Sequence, residues 1–112
     1  MPDHDHYITS TTHIYNVTIK AEKKIAADWL QWLLNKHIPE VMETGCFTNY
    51  HVLRLLDTDE NDGPTYAIQY YSKSIEDYKK YINRYADALR KKSTDRWGDA
   101  FTSFRTLLEV VQ

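Results

Sequence analysis

Two strand–helix–strand patterns follow one another along this chain of 112 residues, separated by an acidic turn. Apolar and polar residues alternate over 13–20, an apolar stripe at helical spacing covers 22–37, and a second strand reads over 48–56. The turn runs from Asp57 to Pro64, with Gly63 and Pro64 as punctuation. Beyond it a strand over 65–71, a helix over 75–91 and a last strand over 103–111 repeat the order. A chain written this way has few topologies open to it. It builds one antiparallel sheet with both helices on the same face, and it leaves the other face to be accounted for.

The fold class is therefore α+β, a ferredoxin-like βαββαβ unit with a four-stranded antiparallel sheet. In the first strand Tyr15, Val17 and Ile19 share one face, and Asn16 and Thr18 the other. The first helix is the more telling element. At about 100° per residue, Trp32, Ile25, Trp29, Leu33, Ala26, Leu30 and Leu34 span an arc of roughly 200°. A helix lying on a sheet needs an apolar arc of only about 100° or somewhat more. The excess predicts contact with something beyond its own sheet. His37 falls inside that arc, Pro39 is expected to stop the helix, and Thr44-Gly45 turns the chain. The second helix is conventional, with Ile75, Tyr78, Ile82, Tyr85, Ala86 and Leu89 in one stripe. Ser74 is its N-cap, with Asp77 as the capping-box acid, and 93–100 is expected to be a link.

Length and charge narrow the possibilities further. The chain suffices for a single domain over 13–112 behind a mobile tail over 1–12. A net charge of −2 argues against a nucleic-acid backbone or an anionic membrane as the main partner. No apolar run reaches bilayer length. The single cysteine, Cys46, forms no internal disulfide; with no export-signal pattern, a reducing cytoplasm is the expected setting. Nine tyrosines against three phenylalanines suit surfaces with one apolar and one wet edge.

If Tyr15, Val17, Ile19, Tyr66, Ile68, Tyr70, Phe104, Leu108 and Val110 face the helices, the opposite face carries Asn16, Thr18, Gln69, Tyr71, Arg105, Leu107, Glu109 and Val111. The second strand adds either His51, Leu53 and Leu55 or Tyr50 and Arg54, and both parities stay open. A face of this mixed character suits a wet cavity or a polar interface.

The phrases Ile14-Tyr15-Asn16-Val17-Thr18, His37-Ile38-Pro39, Thr44-Gly45-Cys46-Phe47, Gly63-Pro64-Thr65-Tyr66-Ala67-Ile68-Gln69-Tyr70 and Phe104-Arg105-Thr106-Leu107-Leu108 resemble a small bacterial family known only as a domain of unknown function. The resemblance spans nearly the whole chain after the tail. The architecture looks like the dimeric α+β barrel superfamily. In that group two ferredoxin-like chains press their sheets together, and each subunit holds a small pocket between sheet and helices. Its members include cofactor-free monooxygenases of aromatic polyketides, small isomerases, haem-degrading proteins and stress-responsive proteins. The resemblance thus implies a homodimer; fold alone does not license an activity.

Each candidate residue has a functional and a plain reading. His37 suits a general base at a pocket mouth, or a helix-end histidine bonding free carbonyls. His51, with Gln69, Tyr71 and Arg105, would line a polar pocket or form cross-strand pairs on a dimer face. Arg105 suits a carboxylate clamp, or a partner for Glu109. Trp29, Trp32 and Trp97 would stack an aromatic ligand or anchor core and interface. Cys46 reads as a buried inert thiol. Asp3-His4-Asp5-His6 offers adventitious metal affinity at most. The segment from Asp57 fails as a calcium loop, because Asp62 stands where glycine is required and Ile68 where the bidentate glutamate belongs. No cofactor or metal motif is present, and none is expected to be needed.

The expected function is binding of a small, partly aromatic organic molecule by a homodimer. One alternative is a cofactor-free monooxygenase or isomerase in which His37 or His51 moves a proton and Arg105 or a tyrosine orients an oxyanion. The other is a structural dimer without a ligand.

Overall fold

Residues 10–112 are described by the computed structural model. Its centre is β1 (His13–Ala21), where alternate residues Tyr15, Val17, Ile19 and Ala21 are all buried. β1 pairs antiparallel with both β3 (Thr65–Ser72) and β4 (Phe101–Glu109), and β3 pairs antiparallel with β2 (Asn49–Arg54). The strand order is β2-β3-β1-β4, the arrangement expected of a split βαβ plan. One face of the sheet and the helices above it share the core: Tyr15, Val17, Ile19, Ile68 and Tyr70 from strands, and Trp29, Leu33, Val41, Tyr81 and Leu89 from helices.

Register settles the open parity of β2 and corrects that of β4. Val52 lies opposite Ile68, so Tyr50, Val52 and Arg54 turn toward the helices and His51 and Leu53 away. Val17 lies opposite Arg105, so Phe101, Ser103, Arg105 and Leu107 face the helices. The expectation for β4 is thereby reversed, since Phe104 and Leu108 are on the outer face. The apolar parity misled because the outer face is itself apolar in places: Phe104 is 63% exposed, Leu53 45% and Leu108 39%.

The first helical unit begins later and ends later than its pattern predicts. α1 (Ala26–Trp32) runs into a π-helical turn (Leu33–His37) and on into α2 (Ile38–Glu43). Pro39 does not stop it. The π turn widens the backbone ahead of the proline, and the Ile38 amide reaches the Leu33 carbonyl, five residues back. In a regular helix the proline ring would collide with the carbonyl four residues earlier, and its missing N–H would leave that carbonyl unpaired. The wide apolar arc also finds its partner inside the chain. Trp32 meets the edge of Trp97 at 6.0 Å, and both pack against the core.

The second unit is likewise divided. α3 (Ile75–Arg84) is capped by Ser74, whose side chain accepts from the Asp77 amide at 3.1 Å. Tyr85 leaves helical geometry at φ −124°, and α4 (Ala86–Trp97) continues beyond the expected end at residue 91. The break lets Tyr81, Ala86 and Leu89 all be buried although the first two are five residues apart.

The acidic turn is stitched to the end of β1. Lys23 donates its amide to the Asp62 carbonyl at 2.8 Å and Ala21 donates to Pro64 at 3.1 Å. Gly63 sits there at φ +145°, and a Cβ would come within 1.9 Å of the Ala21 carbonyl oxygen. Most of the expected tail, including Asp3-His4-Asp5-His6, lies outside the described residues. Thr12 is tied down, donating to Ser72 and accepting from Val110. No helix among the described residues is long and apolar enough to cross a membrane.

Candidate functional site

Between the sheet and the helices lies a cavity of about 270 Å³. Val17, Ile19 and Ile68 form its sheet side, and Leu33 and Val41 contribute from the first helical unit. Tyr15, Tyr70, Tyr81, His37, Arg90 and Arg105 bring polar atoms to it, together with Ser93, Thr94 and Ser103.

His37 owes its position to the π turn, which ends on it. Its ring stacks on Trp32 with centroids 4.9 Å apart and planes 21° from parallel. Nδ1 is buried and has no hydrogen-bond partner among the described residues. Burial lowers its pKa from 6.5 to about 4; Arg105 and Lys92 push the same way, and Glu40 opposes them. At neutral pH the ring is therefore uncharged, with one nitrogen able to donate and the other to accept. Glu40 is itself engaged by Lys92, an ion pair that ties α4 to α2.

The two arginines come from opposite sides. Arg90 of α4 donates through Nη2 to the Tyr15 hydroxyl at 3.0 Å, while its buried Nε has no partner among the described residues. Arg105 of β4 is on the helix-facing side opposite Val17. No hydrogen bond or ion pair holds it among the described residues. Burial pushes the Tyr70 and Tyr81 hydroxyls up, so both remain phenols over the accessible pH range.

The expected site residues do not converge. His37 and Arg105 share the cavity, whereas His51, Gln69 and Tyr71 are on the other face of the sheet. There His51 Nδ1 is 2.6 Å from the Tyr71 hydroxyl, with the rings edge-on at 5.3 Å. Gln69 donates to Asn16 at 3.3 Å. Arg105 therefore cannot join that group; β4 parity puts the whole sheet between them. Trp29 is only 1% exposed, packs against Tyr66 at 5.6 Å, and is a core residue that does not line the cavity. Sequence reasoning missed Arg90, Tyr15 and Tyr81. Arg90 had a signal, since it follows Ala86 by four residues and so shares its buried side.

A wider hollow of about 530 Å³ near the acidic turn is lined by Lys20, Glu22, Lys23, Lys24, Asp62 and Asp99, among others. Most of these are exposed charges that water already satisfies, and among the described residues the hollow has no buried polar side-chain atom left unpartnered. The smaller cavity is the better candidate.

Several solved structures share this fold. An ethyl tert-butyl ether D (EthD) family protein from Bacillus halodurans is 12% identical, with a TM-score of 0.65 over 88% of this chain and 99% of its own. A dimeric ferredoxin-like protein from an uncultured marine organism is 11% identical, with a TM-score of 0.64 over 91% of this chain and 97% of its own. SnoaB, a cofactor-independent oxygenase from Streptomyces nogalater, is 13% identical, with a TM-score of 0.64 over 90% of this chain and 95% of its own. At such identities the likeness is one of fold. No curated protein matches the chain in sequence. A family model does match, across residues 12–111, and the chain belongs to that family, the Domain of unknown function DUF4286.

Proposed function

We propose that this chain forms a cytoplasmic homodimer and binds a small, partly aromatic organic molecule in the cavity between sheet and helices. The carrying observation is that His37 lines that cavity while its buried Nδ1 has no partner among the described residues. An unsatisfied buried polar atom costs about 1–3 kcal/mol. A ligand hydroxyl or amide that satisfies it gives that cost a purpose. The stacked and tilted rings of Tyr15, Tyr70 and Tyr81 beside it suit an aromatic or planar guest.

The dimer rests on the outer face of the sheet, where Phe104, Leu53 and Leu108 are exposed around polar neighbours. A second copy pressed against that face would cover them. A solved relative described as a dimeric ferredoxin-like protein supports the same assembly.

Native mass spectrometry, gentle and then denaturing, tests both parts. The expected result is twice 13.3 kDa plus a small mass that is lost on denaturation. A monomer by light scattering at micromolar concentration overturns the dimer. A bare dimer that also gains no thermal stability from small aromatic compounds overturns the ligand.

One observation favours an enzyme as the second reading. A neutral histidine that lines a partly apolar cavity and has a ring nitrogen without a partner among the described residues can take a proton. Its lowered pKa makes it a weak base, suited to an acidic enol or phenol. Oxygen consumption with such substrates would detect this, and His37→Ala should abolish turnover at an unchanged melting temperature. If that variant melts much earlier, His37 is a structural residue.

A further inference from the structure

We infer that the molecule taken by this cavity is an anion, a single-ring aromatic or enolic acid whose negative group is held by Arg90 and Arg105. The inference rests on the reading of the cavity as a ligand site and names the chemistry of that ligand. Charge balance carries it. The lining contains two guanidiniums, and among the described residues it contains no carboxylate. Arg90 is half-buried, and an arginine in that setting is normally matched by an acid, because an unpaired charge loses hydration without recompense; Arg105, exposed at the β4 edge, keeps its water until a guest enters. Here neither arginine has an ion pair among the described residues, and Asp87, which acts on Arg90 electrostatically, does not line the cavity. Glu40, the acid that acts on His37, is already engaged by Lys92.

The geometry sorts the roles. Tyr15 accepts from Arg90 Nη2, which fixes the guanidinium plane and makes Tyr15 a positioning residue. Arg90 Nε remains a buried donor without an acceptor among the described residues. Arg105 approaches from the β4 edge, close enough to act electrostatically on both His37 and Tyr81. An acid placed between the guanidiniums completes their hydrogen bonding, since planar donors of this kind match carboxylates. The uncharged ring of His37 then meets a neutral polar group of the same ligand. At about 270 Å³ the space falls just under the range of about 300–1,000 Å³ typical of drug-sized ligands, which limits the guest to about one ring.

The test is isothermal titration of the intact protein with three acids, benzoate, 2-hydroxybenzoate and 4-hydroxybenzoate, each paired with its neutral carboxamide. At least one acid should bind about tenfold or more tightly than its amide. Arg105→Gln should abolish that preference. Arg105 is exposed on an edge strand, so this variant is expected to fold. Arg90→Gln should do the same, and Tyr15→Phe should weaken it by a smaller factor. An amide that binds as well as its acid, or a preference that survives Arg105→Gln, overturns the anion inference and leaves the cavity reading standing. No binding by any of the six overturns both.

Discussion

The two faces of the sheet carry similar polar residues in opposite conditions. On the outer face His51 is bonded to Tyr71 and Gln69 to Asn16, and these side chains are exposed or half-buried. On the inner side His37 and Arg90 each hold a buried nitrogen without a partner among the described residues, as does Trp97, which does not line the cavity. A satisfied pair on a surface is explained by the fold itself. An unsatisfied group in a core costs stability and calls for another explanation. The contrast locates the candidate site better than residue type does, since both faces offer a histidine, at least one tyrosine, and amides or guanidiniums.

The largest test of that contrast is Ile68→Ala, which opens the inner face under the cavity. Ile68 is 1% exposed, and the loss should be about 2–5 kcal/mol by denaturant unfolding. Next comes pH. Burial holds folded His37 near 4, against 6.5 as the ordinary value. Between those values the unfolded chain takes up the proton more readily. This contribution to stability is full above about pH 6.5 and is lost as pH falls toward about 4. Going from about pH 7 to about pH 5 should cost the wild type about 2 kcal/mol more than His37→Leu, measured by urea unfolding of both. A parallel pH slope in the two proteins would mean that His37 is hydrated in solution. At neutral pH, His37→Leu should be more stable by about 1 kcal/mol, because an unpartnered buried nitrogen is removed, while ligand binding is lost. The smallest effect is expected from His51→Ala, about 0.5–1 kcal/mol, with ligand binding unchanged. If His51→Ala abolished binding instead, the assignment of the two faces would be inverted.

Element order and the inner parities of β1 and β3 were legible because alternation there is clean: Tyr15, Val17 and Ile19 against Asn16 and Thr18. β4 was not, because both of its parities are partly apolar and hydrophobicity alone cannot say which apolar residue meets a helix and which meets another surface. Register against β1 decided it, and register depends on pairing across the sheet. His37 was recognisable as a candidate, but its setting was not, since a proline two residues later reads as a helix end. The overlooked signal was the apolar spacing around it: Leu33, Ile38 and Val41 are all buried, and the first two are five positions apart. Arg90 was hidden for a different reason. A long cation on a helix is ordinarily read as solvated, and that expectation outweighs the four-residue spacing that puts it on the side of Ala86.

The π turn at Leu33–His37 works as a phase adjuster. One surplus residue there shifts the rotational setting of everything after it by about 100° relative to an uninterrupted helix. Trp29 upstream and Val41 downstream can then both point at the sheet. Removing a single residue from this turn would shorten the chain by less than one part in a hundred. It would also force a choice between seating the first half of the helix and seating the second. A deletion so small would thus act like a large rotation, and the imidazole at the junction would lose its place whichever half prevailed.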